Sequence, residues 1–193
     1  MRPLRTEALL YFPAIIIGGM CTLGGLAWIY EKTRKKFVHP RLGPMTYYGD
    51  GWVVLLSRDG SAQPVRVELP GDRKTPSESD IVAFEALWAR IDEVVEAIRP
   101  RAVEDLEDAH DAVIGTSEEA DLKAAVERAA EGAATFAEDW VLSGIHQHKG
   151  REGQTFWCLI FEVSWDLEHQ RVAYLEPDGR LRHYDLSCTV VNL

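Results

Sequence analysis

The feature that narrows the possibilities furthest is a run of 23 residues, Ala8 to Tyr30, without a single charge. At about 1.5 Å per residue, a helix of that length covers a hydrocarbon core of about 30 Å with room for tilt. Tyr11, Phe12, Trp28 and Tyr30 stand near its ends, where amphipathic rings favour the interface. Pro13 falls near the first turn, where a missing backbone donor does least harm. A cleaved signal peptide would have a shorter apolar region, about 7–15 residues, followed by small side chains. Here the run ends in the bulky Trp28-Ile29-Tyr30. The expectation is a retained single-pass anchor over 8–30, preceded by a short tail, 1–7.

Charge is divided sharply along the chain. Residues 1–41 hold seven Lys/Arg against Glu7 and Glu31, while the remainder holds fourteen basic and twenty-nine acidic residues. A body with a net charge of −15 excludes a general nucleic-acid binder, which needs a basic surface. Counting Lys and Arg alone, two precede the uncharged run and five follow it, which places the C-terminal domain in the cytoplasm. Lys32, Arg34, Lys35 and Lys36 lie in a basic linker, 31–44, and are expected to touch anionic lipid headgroups. Gly18, Gly19, Gly24, Gly25 and the Cys21-x-x-x-Gly25 spacing allow close helix pairing, hence a homodimer. The three cysteines, Cys21, Cys158 and Cys188, include no C-x-x-C and read as buried free thiols.

The remaining stretch, 45–193, has the pattern of one domain. Val38 to Pro44 reads as an extended connector because each proline biases its predecessor away from helix. Trp52–Leu56 and Val65–Leu69 flank a turn near Arg58–Ser61 and form a hairpin. Thr75-Pro76-Ser77-Glu78 reads as a capping box with proline at the first helical position. Ile81, Phe84, Leu87/Trp88, Ile91, Val94/Val95 and Ile98 then give one apolar stripe, closed by Pro100. A second helix carries Val103, Leu106, Ala109 and Val113 and ends at Gly115. Thr116-Ser117-Glu118-Glu119 opens a third, alanine-rich helix reaching about Ala130.

Beyond it the period changes from 3.6 to 2. Trp157, Leu159, Phe161, Val163 and Trp165 share one face of a central strand, with Phe156, Cys158, Ile160, Glu162 and Ser164 on the other. Trp140–His148 supplies a strand before it; Arg171–Leu175 and Leu181–Val190, joined by Pro177-Asp178-Gly179-Arg180, complete a meander. The expected class is α+β: an N-terminal transmembrane helix followed by a mostly antiparallel sheet packed against two or three helices.

The sequence holds no phosphate loop, dinucleotide fingerprint, nucleophile elbow or zinc-protease motif, and no cofactor is expected. His146-x-His148 places two imidazoles on one strand face, a weak metal signal that Asp166, Glu168, His169 or His183 would have to complete. Glu168-His169 in a polar turn reads as a solvated hairpin end, and Glu162 is the one carboxylate on the central strand. The later helices carry Glu104, Asp105, Glu107, Asp108 and Asp111, then Glu118, Glu119, Asp121, Glu127 and Glu131, against only Arg101, Lys123 and Arg128. Such a face steers a basic partner, so the first five are the candidate partner-binding residues.

Two stretches carry a resemblance. His39-Pro40-Arg41-Leu42-Gly43-Pro44-Met45 leading into a strand, and Phe161-Glu162-Val163-Ser164-Trp165-Asp166-Leu167-Glu168-His169 followed by a strand and Pro177-Asp178-Gly179, resemble the opening and the C-terminal hairpin of small bacterial domains of unassigned function. Such domains occur among the immunity proteins of polymorphic-toxin loci. The resemblance covers 39–190, and its motifs are structural, so it transfers no catalytic residue. It implies a non-enzymatic, membrane-anchored protein of the bacterial inner membrane that neutralises or sequesters a protein partner, such as a toxin. The competing readings are a membrane-anchored, metal-assisted hydrolase using His146 and His148, and a scaffolding subunit of a membrane complex.

Overall fold

The computed structural model describes residues 35–49, 51–58, 63–149 and 155–186. The chain divides into two units, Met1–Lys36 and Phe37–Leu193, and the fold below is that of the second. Its elements in chain order are β1 (Lys36–His39), β2 (Gly43–Tyr48), β3 (Gly51–Leu56), β4 (Val65–Pro70), α1 (Glu78–Trp88), α2 (Ile91–Ala112), α3 (Glu119–Glu131), α4 (Ala133–Phe136), β5 (Trp140–Lys149), β6 (Thr155–Val163), β7 (Arg171–Leu175) and β8 (Leu181–Leu186).

The eight strands form one sheet whose spatial order is the sequence order. From β2 to β8 the neighbours are antiparallel, with one exception: β4 and β5 run parallel. The exception follows from the helices. A chain that leaves β4, builds four helices and returns beside it has the length a parallel crossover requires. Two meanders therefore meet at a parallel seam under a helical layer. Trp52, Val54, Val67, Leu69, Ile145, Trp157, Leu159 and Phe161 from the sheet pack with Ile81, Phe84, Ile91, Ile98, Ala102 and Leu106 from the helices in one core. The inward set on β6 is the one that the alternation predicts, Trp157, Leu159, Phe161 and Val163.

Local details depart from the sequence reading. The connector at 38–44 carries part of β1 and the start of β2. The cap of α1 is Ser77, whose hydroxyl accepts from the Asp80 amide, so Pro76 lies outside the helix, bridged to Gly71. The apolar stripe breaks at Ala89-Arg90, where the Arg90 guanidinium donates to the Asp178 carbonyl in the β7–β8 turn. Pro100 closes nothing; it sits inside α2. A proline there costs about 3 kcal/mol, which burial of Ile98, Ala102 and Leu106 around it offsets. At α3 the Thr116 hydroxyl accepts from the Glu118 amide, and the Glu119 carboxylate reaches back to the Gly115 amide. The turn proposed near Arg58–Ser61 lies largely outside the described residues.

The expected membrane architecture is corrected. Among the described residues no helix is long and apolar enough to cross a membrane. The longest, α2, has the length, but Asp92, Glu93, Glu96, Arg99, Arg101 and further charges run its full extent and would have to be desolvated. The span expected at 8–30, with Lys32 and Arg34, lies outside the described residues; Lys35 and Lys36 are exposed at the start of β1. The fold class is α+β, an eight-stranded sheet covered by helices, and none of the described helices is the single-pass span that was expected.

One core position is at odds with its surroundings. Gln147 on β5 is 8% exposed, pairs in register with Trp157 on β6, and neither its amide oxygen nor its nitrogen has a partner among the described residues. An unsatisfied buried amide costs about 1–3 kcal/mol. Gln147→Met keeps the length and removes the polar atoms, so urea unfolding is expected to show a gain of about 1–2 kcal/mol. A midpoint equal to or below that of the parent would mean that the amide is hydrogen-bonded.

Candidate functional site

The acidic helices contain two different populations of carboxylate. Asp105 on α2 is half-buried and works inside the fold. Its Oδ2 accepts from the Trp165 indole at 2.9 Å and from Arg171 Nε at 2.7 Å. Arg171 opens β7, is buried, and donates through Nη1 to Asp166 at 2.9 Å. Asp166 also takes the His169 ring at 3.1 Å. A second cluster adjoins through Ser164. Asp139, buried just before β5, accepts from Arg128 Nε and Nη2 at 2.6 and 2.7 Å and from the Ser164 hydroxyl at 2.6 Å. These groups tie α2, α3, the start of β5 and the β6–β7 turn together.

Their electrostatics follow from opposing effects. Burial would raise the Asp139 carboxyl, but hydrogen bonds from Arg128 and Ser164 outweigh it and hold the group below its ordinary range. Asp166 behaves alike, with burial outweighed by Arg171 and His169. Both groups therefore contribute stability above the ordinary carboxylate pKa of about 3.9, and it is lost as pH falls through their lower folded values.

The other four candidate acids of α2, Glu104, Glu107, Asp108 and Asp111, remain outside this network. Glu104 pairs with Arg101 at 2.5 Å on the helix surface. Asp111 lies 3.8 Å from the His110 ring, and Glu107 and Asp108 are exposed with no basic partner among the described residues. Glu118, Asp121, Glu127 and Glu131 extend the exposed acidic surface onto α3, while Arg128 is occupied by Asp139. The sequence grouped Asp105 with its neighbours; in the structure it is hydrogen-bonded to Trp165 and Arg171 instead.

The opposite sheet face holds the histidines. His146 and His148 share that face, with ring centroids 6.2 Å apart; His146 leans to Glu68 at 3.8 Å, and His148 is exposed. Burial lowers the His146 pKa against the pull of Glu68. Among the described residues no group of three or more His, Cys, Asp or Glu side chains is placed to hold a metal. Asp166, Glu168 and His169 sit in the β6–β7 turn, and His183 pairs with Asp185 on β8 at 3.2 Å. Glu162 is exposed. Cys158, in register with His146, is buried and its thiol is pushed up to about 12 by burial, with Tyr174 hydrogen-bonded to it, so it is a packing residue rather than a thiolate nucleophile. Cys21 and Cys188 lie outside the described residues.

Sequence reasoning passed over Arg171 and Asp139. Arg171 had a signal: alternation with Ala173 and Leu175 puts it on the inward face of β7, where an arginine demands a carboxylate. Asp139 had none, because its partners lie 11 and 25 residues away. No protein-family model, curated protein or solved structure matches the chain.

Proposed function

We propose that this chain is a non-enzymatic protein-binding module that engages a basic partner through the acidic side of α2 and α3, as an immunity-type protein would occupy its target. One observation carries the reading. Glu107, Asp108 and Asp111 crowd the C-terminal end of α2, where the only basic side chain in the last turn is His110. Exposed carbonyls make that end the negative pole of the helix, so Asp111 in the last turn costs a fraction of a kcal/mol, about 0.3–1, and Glu107 and Asp108 just before it cost less. The fold neutralises Asp105 and leaves these three where they weaken the helix. A complementary basic surface converts the same field into faster association.

The test separates binding from folding. Glu107→Lys, Asp108→Lys and Asp111→Lys combined places cations at the favourable end of α2, so the melting temperature is expected to hold or rise. Association with the partner, identified by crosslinking in the native cell and then purified, is expected to slow about tenfold or more at low salt, with the difference shrinking as salt rises. Unchanged association at low salt would overturn the proposal.

A further inference from the structure

We propose that the sheet face that carries His146 and Ile160, opposite the helices, holds a site for a small organic cation of the ammonium or guanidinium class, seated between β4, β5 and β6. The site is a concavity of about 390 Å³ lined by Gln63, Arg66, Ser143, Gly144, His146, Ile160, Glu162 and Gln170, among others. Gly144 contributes no side chain to it. Gly144 stands in register between Arg66 on β4 and Ile160 on β6, in the middle of the sheet. It is not among the glycines with positive φ, so the backbone does not require glycine there. An added Cβ would press on the Ile160 side chain at 3.3 Å, so glycine lets β5 and Ile160 pack closely at the floor of the concavity, and a larger side chain would have to enter it. The register of β5 slips between Leu142 and Gly144, a bulge that turns Ser143 out of the regular ladder, and bulges of this kind re-aim side chains beside sites.

The charge balance selects the ligand. Arg66 is already compensated, with its guanidinium 3.1 Å from Glu68 and lying over the Tyr48 ring at 5.6 Å. His146 faces the same Glu68. Glu162 is different: it is exposed, lines the concavity, and has no hydrogen-bond or ionic partner among the described residues. One uncompensated carboxylate beside the Gln170 amide and the oxygen of the Ser143 hydroxyl, which itself donates to the Ile160 carbonyl at 3.3 Å, offers acceptors to a cation with several N–H donors. The volume suits a small organic molecule better than a metal ion.

The experiment is an NMR titration of the full chain with agmatine and, separately, putrescine, with glutamate as the anionic control. Saturable shifts at Ile160 and His146 are expected for the cations at about millimolar concentration or below, and none for glutamate. Glu162→Gln, an exposed isosteric change, is expected to weaken binding about tenfold. Gly144→Val is expected to abolish it, and Glu162→Gln keeps the question decidable if that variant does not fold. Absence of saturable shifts at about 10 mM cation, equal response to glutamate, or an unchanged affinity in Glu162→Gln would each overturn the proposal.

Discussion

Truncation of Phe161 to alanine is expected to lower stability by about 3–5 kcal/mol. The ring is fully buried on β6 and stacks on Trp140 with centroids 4.2 Å apart and planes at 13°. Trp140 stacks in turn on Phe136 at 6.0 Å, and Phe136 on Trp165 at 5.9 Å. Four rings from β5, β6, α4 and the β6–β7 turn thus form one column at the end of the sheet. Removing a terminal ring deletes its buried area and leaves a void that stiff neighbours cannot close, and each aromatic pair contributes about 0.5–1.5 kcal/mol beyond its area. Urea unfolding followed by tryptophan fluorescence measures the loss directly. Leu167→Ala is the control: that side chain is 92% exposed and its removal is expected to shift stability by less than about 0.5 kcal/mol. A loss below about 1 kcal/mol for Phe161→Ala would mean that the column repacks.

The ease with which Phe161 is found in the sequence, set beside the elements that are missed, shows what a local pattern contains. Five alternating bulky residues on 157–165 specify a strand and its buried face, because the period of a strand is independent of its neighbours. The hairpin β3–β4 and the meander β6–β8 are legible for the same reason. Strands β1 and β2 are not, since four and six residues interrupted by Pro40, Gly43 and Pro44 carry almost no periodicity. The parallel seam β4–β5 is invisible locally, being fixed by where the helical layer delivers the chain. Pro100 misleads because its local penalty is real but smaller than the burial on both sides of it. The uncharged run at 8–30 fits a membrane span on length and composition, and nothing among the described residues has that character. Charged residues are the least legible of all. Whether a carboxylate on α2 faces water or an arginine depends on residues about sixty positions away.

Asp105 makes that dependence measurable. Asp105→Ala is expected to cost about 3 kcal/mol, whereas Asp108→Ala, three residues on along the same helix, is expected to cost less than about 0.5. The difference lies in what each truncation leaves behind. Asp108 has only water to lose. Asp105 is the acceptor for both the Trp165 indole and Arg171 Nε, and the Arg171 side chain is 7% exposed. Without Asp105, Nε of that guanidinium has no acceptor and only Asp166 remains to balance its charge, while the indole N–H loses its partner. An incompletely paired buried cation is among the more costly defects a core can carry, and an orphaned donor adds to it. Asp105→Asn retains an oxygen acceptor but not the charge, so its loss should fall between the two. The double variant Asp105→Ala/Arg171→Leu removes the buried cation as well, and is expected to recover part of the stability lost by Asp105→Ala alone. Chemical denaturation of the four variants at pH 7 provides the whole comparison. If Asp105→Ala and Asp108→Ala cost the same, the carboxylate of Asp105 is a surface charge like its neighbours and belongs with them on the partner-binding side of α2.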